Sequence, residues 1–462
     1  MNKFIYLLFF LQISMQVYAQ GTKEKVNNAI EKFLSDPSLK HAITGVYIID
    51  EKTGETVYNL NAEKGLAPGS TQKIFTSIAA FELLGNNFTY ETDLGYTGKI
   101  VDSVLYGDII IRGSGDPSFG SVRFPKTVPQ QIFSRFLNVL QQAGIKEIDG
   151  NILPIPESVT IPGAWIWEDL GNYYGAASSG FNWRENEYSL HLRSGKKIGT
   201  PVSIISVNND TAFPMEFNNE VTVAAKGSGD QSYIFLPFNH QKYLIRGTIP
   251  ADENNFIVHG AVKNPAAYFE YDLKKYLKGK IKISGSKIEN TPENRDTNFH
   301  KLYQYFSPTL DSLTYFFLQK SINLYGEAFL QKIAEQKNNT FSNEAGIAAL
   351  KKFWEEKGIE KSALHIFDGS GLSPQNRVTP VSMVKAMQYA TSQKWFPSFY
   401  KALPEYNQIK MKSGTIDGVK AFTGYIKSKS GNNYTFAFIV NNYDEREGSI
   451  SGKIYEVLNT LK

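Results

Sequence analysis

The sequence predicts an α/β fold of the α+β kind, with an antiparallel sheet flanked by helices, assembled from both chain ends and interrupted by a large β-rich insertion. Three observations predict it: a strand–turn–strand pattern near each end, apolar helical periodicity beside each pattern, and a long middle region of short strand-like runs and turn residues.

In chain order, Lys3, the apolar stretch Phe4 to Val17, and Val17-Tyr18-Ala19 before Gln20 read as a signal peptide, cleaved after Ala19. Gln12, Ser14 and Gln16 interrupt an apolar run already shorter than the roughly 20 residues of a membrane span. No integral span is therefore expected after cleavage, and a retained anchor is the alternative. Runs from Ala42 to Asp50 and from Glu55 to Asn61, rich in Val, Ile, Tyr and Thr, flank Glu51-Lys52-Thr53-Gly54 as a hairpin. Ser70 to Leu84 carries Ile74, Phe75, Ile78, Phe81 and Leu84 with alanines between and Gly85 as a stop, which predicts a buried helix starting at or near Ser70.

From about Tyr90 to Pro292, runs such as Asp108 to Arg112, Val202 to Val207 and Tyr233 to Leu236 alternate with Gly, Pro and Asn turns. Leu310 to Glu335 returns to helical spacing, with Leu313, Phe316, Phe317, Ile322, Leu324, Phe329 and Ile333 apolar. Ala421 to Lys427 and Tyr434 to Asn441 form a second hairpin, and Gly452 to Leu461 a closing amphipathic helix. A lone hairpin is marginal in water, so both hairpins are expected to share one sheet. The resulting division is 1–19 leader, 20–89 with 293–462 as one domain, 90–190 with 258–292 as an inserted domain, and 191–257 as a nested β-rich subdomain.

At 462 residues and 42% hydrophobic content the chain exceeds the usual size of one domain. A net charge of +4 without long same-sign runs makes no case for nucleic acid. Zero cysteines exclude disulfides, a thiol nucleophile, a lipidated cysteine and zinc–cysteine sites. The six histidines are scattered with no His-Glu-x-x-His pair, so neither metal nor cofactor is expected.

Ser70-Thr71-Gln72-Lys73 opens the first helix, where i, i+3 spacing sets the lysine amine beside the serine hydroxyl. A helix N-terminus favours developing negative charge, and desolvation lowers a lysine from about 10.4 toward neutrality, so that a neutral Lys73 accepts the serine proton. Taken singly, Ser70 reads first as a helix N-cap with an exposed lysine one turn on. The same spacing recurs at Ser194 to Lys197 and Ser284 to Lys287, in glycine-containing, turn-rich sequence. Ser321-Ile322-Asn323, inside the second helical region, is singly a polar break in a helix, and Lys412-Ser413-Gly414-Thr415 an ordinary turn. A literal Lys52-Thr53-Gly54 lies before the serine in a hairpin turn and is discounted.

Together and in this order, Ser-x-x-Lys, Ser-x-Asn and Lys-Ser/Thr-Gly are the signature of penicillin-binding proteins and serine β-lactamases. Pro68-Gly69-Ser70-Thr71-Gln72-Lys73, Gly107-Asp108, Gly115-Asp116-Pro117, Trp165-Ile166-Trp167-Glu168-Asp169, Ser321-Ile322-Asn323-Leu324 and Asp368-Gly369-Ser370-Gly371-Leu372-Ser373 extend the match. Across nearly the whole mature chain the sequence resembles the class C penicillin-binding proteins, D-Ala-D-Ala carboxypeptidases and endopeptidases with a long insertion between their first two motifs.

The resemblance implies a penicillin-binding, β-lactamase-like fold, peptidoglycan peptides as substrate, β-lactam antibiotics as covalent inhibitors and export to the periplasm or cell envelope. It implies Ser70 as the acylated nucleophile, Lys73 as its proton partner and Ser321 as the relay to the leaving amine. Asn323 would hold the substrate amide, Lys412 would attract the terminal carboxylate, and Ser413 or Thr415, flanking Gly414, would hydrogen-bond it. The Ser70 and Thr415 N–H groups would form the oxyanion hole. Pro374 stands where the family has an arginine after Gly-Leu-Ser, so the substrate side-chain preference is open. Arg377 is a candidate replacement, and Asp169 is either the partner of a side-chain amine or a solvated loop acid. Two rival readings remain: a β-lactamase or esterase with the same constellation, and a cell-wall-binding protein that keeps the fold without catalysis.

Overall fold

The computed structural model describes residues 21–156, 160–208, 210, 214–237, 242–285, 298–445 and 448–462, so the expected leader lies outside the described residues. The described residues divide into two compact units: those within 1–83, 314–321 and 347–462 form the first, and those within 84–313 and 322–346 the second.

Within the first unit, six antiparallel strands run in the order Thr56–Leu60, Ile43–Asp50, Asn433–Asn441, Val419–Lys427, Ile409–Ile416, Glu405–Tyr406. The two expected hairpins thus join in one sheet, with Ile43–Asp50 paired along its whole length to Asn433–Asn441. Alternation divides the sheet's side chains between two faces. Val46, Ile48, Phe436, Phe438 and Val440 pack with Val26, Ile30 and Phe33 of a helix spanning 21–34, and with Ile450, Ile454 and Val457 of the helix Ile450–Asn459. The helix Pro380–Thr391 packs against the sheet and against the helix Lys73–Leu83. Gly45 marks one point of close approach, since a methyl there would lie 2.9 Å from Pro380 Cγ.

Lys73–Leu83 is buried all round through Ile74, Phe75, Ile78, Ala79, Ala80 and Phe81, as its apolar content requires. It does not begin at Ser70. Residues Gly69–Gln72 form a 3-10 turn, and the α-helix starts at Lys73. Pro68 and left-handed Gly69 (φ 51°) deliver the chain into i→i+3 bonds, Thr71 N to the Pro68 carbonyl and Lys73 N to the Ser70 carbonyl, which tighten the first turn.

The expected helix 310–335 is broken in two, Leu310–Gln319 and Asn323–Asn338. Ser321, read from sequence as lying inside a helix, occupies the break with a left-handed backbone (φ 57°). A non-glycine residue there is strained, and such strain gathers at functional positions. Residues 314–319 of the first helix and Ser321 belong to the first unit, while residues 310–313 and the second helix belong to the other.

The second unit contains a mixed sheet in the order His300–Phe306, Glu91–Tyr96, Ile109–Arg112, Ile152–Ile155. Its aromatic core groups Phe119, Phe133, Phe136, Phe181, Trp183 and Phe269. A separate apolar cluster joins Tyr188, Leu190, Leu192, Ile245, Ile249 and Val258 from the strands Glu187–Arg193, Tyr243–Pro250 and Phe256–Ala261.

Candidate active site

Ser70 stands half-buried on the 3-10 turn, and Lys73, at the first position of the buried helix, has no exposed surface. Lys73 Nζ donates to Ser70 Oγ at 3.0 Å and to the Ser370 carbonyl at 2.7 Å, with the Phe317 ring 5.6 Å away. The lysine is therefore aimed at the serine from a water-excluded side, by a carbonyl and an aromatic face.

The carbonyl comes from the Asp368–Ser373 loop, which Asp368 shapes. Its carboxylate accepts from the Gly371 N–H (2.8 Å), the Ser373 N–H (2.6 Å) and Asn376 Nδ2 (2.8 Å). Gln72 Nε2 donates to the Asp368 carboxylate at 3.2 Å, and Thr76 Oγ1 to the Gly369 carbonyl at 2.6 Å, so the loop is tied to the helix turn that carries Ser70. The sequence reading includes this loop in the family match but gives no role to the Ser370 carbonyl; Gly371 (φ 84°) abuts the Gly69 carbonyl with no room for a side chain.

Lys412, Ser413, Gly414 and Thr415 form strand, part of Ile409–Ile416, where a turn was the alternative. Lys412 is buried and donates to Ser321 Oγ at 3.0 Å and to the Ser413 carbonyl at 3.0 Å. Burial first, then the positive charges of Lys73 and Lys420, hold its ammonium well below the usual lysine range. Gly414 packs on the Ser70 turn, where a methyl would meet the Pro68 carbonyl oxygen and come within 3.0 Å of Ser70 N. Ser413 Oγ lies 3.4 Å from the Tyr406 hydroxyl, and Thr415 Oγ1 accepts from Lys420 Nζ at 2.8 Å.

Ser70, Lys73, Ser321, Lys412, Ser413, Gly414 and Thr415 thus all fall in the first unit, while Asn323 and Asp169 belong to the second. Asn323 opens its helix and donates from Nδ2 to the Tyr174 carbonyl at 2.7 Å. Asp169 is half-buried beside Tyr174. Desolvation raises its carboxyl to about 6 against the opposing hydrogen bond from the Tyr174 side chain. Arg377 spends its Nη1 on the Pro374 and Asn376 carbonyls of its own loop, at 2.6 and 2.7 Å. Among the described residues no group of three or more His, Cys, Asp or Glu side chains is arranged to hold a metal, and no helix is long and apolar enough to cross a membrane.

A serine–lysine pair at the head of a buried helix, walled by a lysine-bearing strand, defines a hydrolase of the penicillin-binding class. The profile of the D-Ala-D-Ala carboxypeptidase 3 (S13) family matches residues 26–459, and the chain belongs to that family. It is accordingly a D-Ala-D-Ala carboxypeptidase that acts on peptidoglycan. It is 24% identical to a D-alanyl-D-alanine carboxypeptidase of an Actinomadura species over 457 residues, covering 89% of this chain and 80% of that one. To the D-alanyl-D-alanine carboxypeptidase DacB of Haemophilus influenzae it is 25% identical over 415 residues, covering 84% and 83%. The fold matches the crystal structure of penicillin binding protein 4 from Haemophilus influenzae with a TM-score of 0.76 at 22% identity, covering 94% of this chain and 97% of that one.

Proposed function

We propose that Ser70 is the nucleophile of this carboxypeptidase and that the reaction passes through a Ser70 acyl-enzyme. Neutral Lys73 takes the hydroxyl proton as Ser70 Oγ attacks the carbonyl of the penultimate D-alanine. The Ser70 and Thr415 N–H groups stabilise the oxyanion, an arrangement in which one donor is typically worth roughly 3 kcal/mol of barrier. The proton passes through Ser321 to the leaving amine, and water then releases the shortened peptide. Lys412, with the Ser413 and Thr415 hydroxyls, binds the terminal carboxylate. Asn323 binds the peptide amide, and ionised Asp169 an amine on the substrate side chain. The same chemistry cleaves cross-linked peptides as an endopeptidase, and β-lactams acylate the same serine. One of the similar Haemophilus influenzae structures is a complex with a β-lactam. Export follows cleavage after Ala19 and delivers the enzyme to the periplasm or cell envelope.

One observation carries this reading: two lysine–serine contacts of 3.0 Å, Lys73 with Ser70 and Lys412 with Ser321, lie in one unit, and Lys73 contributes to the depressed pKa of Lys412. A fluorescent penicillin is expected to label the wild type covalently and to spare Ser70→Ala; labelling of both removes Ser70 as nucleophile. Mass spectrometry of muropeptides after incubation separates loss of one alanine from splitting of cross-linked dimers.

A further inference from the structure

Register sets Lys420, on Val419–Lys427, directly opposite Thr415 on Ile409–Ile416. Its ammonium donates to Thr415 Oγ1 at 2.8 Å and lies 5.2 Å from the Phe422 ring centre. Lys420 is partly buried, and among the described residues it makes no ion pair with a carboxylate. Desolvation lowers its ammonium below the usual lysine range, and no acid counters the shift. Lys73 and Lys420 both act electrostatically on Lys412, with no acidic group among the causes that set it. Excess positive charge beside a low-dielectric wall draws an anion.

The hydrogen bond also fixes the direction of the Thr415 hydroxyl. A hydroxyl has one proton and two lone pairs, and Thr415 Oγ1 accepts from Lys420, so its own proton is free to be donated elsewhere. Thr415 is exposed, and its hydroxyl presents that proton toward solvent or ligand.

We propose that Lys420 is a specificity-determining residue: with the Thr415 hydroxyl that it polarises, it holds the free carboxylate of the departing residue and selects against leaving groups that lack one. This rests on the reading of Lys412–Thr415 as the carboxylate end of the site, and deepens it.

The test compares kcat/KM for a peptide ending in D-Ala-D-Ala with that for the same peptide ending in D-alaninamide, using wild type, Lys420→Met and Lys420→Arg. Methionine keeps the unbranched chain over Phe422 without the charge. Loss of one charge-assisted contact is expected to shrink the acid-over-amide preference about ten- to a hundredfold in Lys420→Met, chiefly through KM, with Lys420→Arg restoring most of it. Added salt should erode the preference of the wild type more than that of Lys420→Met. Equal loss on both peptides assigns Lys420 a structural role and overturns the proposal, as does an undiminished preference. A wild type indifferent to the terminal carboxylate overturns the carboxylate-end reading as well. Failure of the nucleophile assignment reads out separately, as penicillin labelling of Ser70→Ala.

Discussion

Gly414 and Ser70 approach so closely that a methyl group on the glycine would lie 3.0 Å from the serine's backbone nitrogen, 2.9 Å from that of Thr71, and against the Pro68 carbonyl. From the other side, a methyl on Gly69 would lie 2.8 Å from Thr415 N. Backbone rests on backbone here, so no side chain can rotate away to relieve an added atom. Gly414→Ala must therefore part the Lys412–Thr415 strand from the Ser70 turn. Losing one oxyanion donor lowers rates by about a hundred- to a thousandfold. The expected outcome is that scale of loss in the acylation rate by a fluorescent penicillin, with about 1–3 kcal/mol less stability from overpacking. An acylation rate within a few-fold of wild type would contradict the role given to this contact.

Lys412→Met is expected to raise stability while lowering activity. The wild type buries an ammonium beside two other lysines, and its pKa is depressed. Between that depressed value and the ordinary lysine value near 10.5 the unfolded chain binds more protons than the folded one, so wild-type stability rises with pH through that window. Below the window the full deficit is present. Two hydrogen bonds, to Ser321 and Ser413, are lost on substitution, worth about 1 kcal/mol each. Replacing buried charge by an apolar side chain gains about 1–4 kcal/mol. The net gain should thus be larger at neutral pH than near pH 10, where it is largely lost. Urea midpoints at pH 7 and pH 10 check this, and KM for a D-Ala-D-Ala peptide checks the accompanying loss of function.

The hairpins, the buried helix and the three motifs were legible because each rests on local pattern: alternation, helical spacing and motif order. Ser321 was misplaced because its flanks, Phe317 on one side and Leu324 on the other, continue a helical rhythm across the break. Its left-handed backbone answers to neighbours such as Lys412, brought there by the sheet rather than by nearby sequence. The Ser370 carbonyl and Lys420 are not legible for the same reason. Ser370 acts through its carbonyl, which residue type does not announce, and Lys420 gains meaning only from strand register opposite Thr415. The local turn at Ser70 was read as helix because 3-10 and α spacing differ by less than one residue per turn.

Asp116 should make the second unit less stable as pH rises from about 4 to about 7. Its Oδ1 accepts from the Ser118 N–H and hydroxyl at 2.8 and 2.6 Å, but its Oδ2 has no partner among the described residues. Desolvation outweighs those two bonds and raises its pKa from 3.8 to about 7. Below about pH 4 both folded and unfolded forms are protonated. Between 4 and 7 only the unfolded form ionises, so stability falls with rising pH, by up to about 4 kcal/mol in total, and is then constant. Asp116→Asn does not titrate and should flatten this slope. Denaturant midpoints at pH 5 and pH 8 measure it, and parallel slopes for the two proteins would refute the assignment.

Tyr325 and Glu185 should behave as one unit holding the helix that begins at Asn323. The Tyr325 hydroxyl, fully buried, donates to Glu185 Oε1 at 2.7 Å, and the same oxygen accepts from Ser121 Oγ at 2.8 Å and Arg123 Nε at 2.9 Å. Burial and the adjacent carboxylate push the tyrosine well above its usual range, so it remains a donor at every workable pH. Tyr325→Phe leaves Glu185 with its two other donors and is expected to destabilise by about 1–3 kcal/mol. Glu185→Ala removes the acceptor of the buried hydroxyl and the carboxylate paired with Arg123, and should destabilise by about 3–5 kcal/mol. If they act together, the double variant will be less damaged than the sum of the two, with a coupling of about 1–3 kcal/mol in denaturant unfolding. Strict additivity would show that the hydroxyl and the carboxylate are independent, and that the start of the Asn323 helix is secured by packing alone.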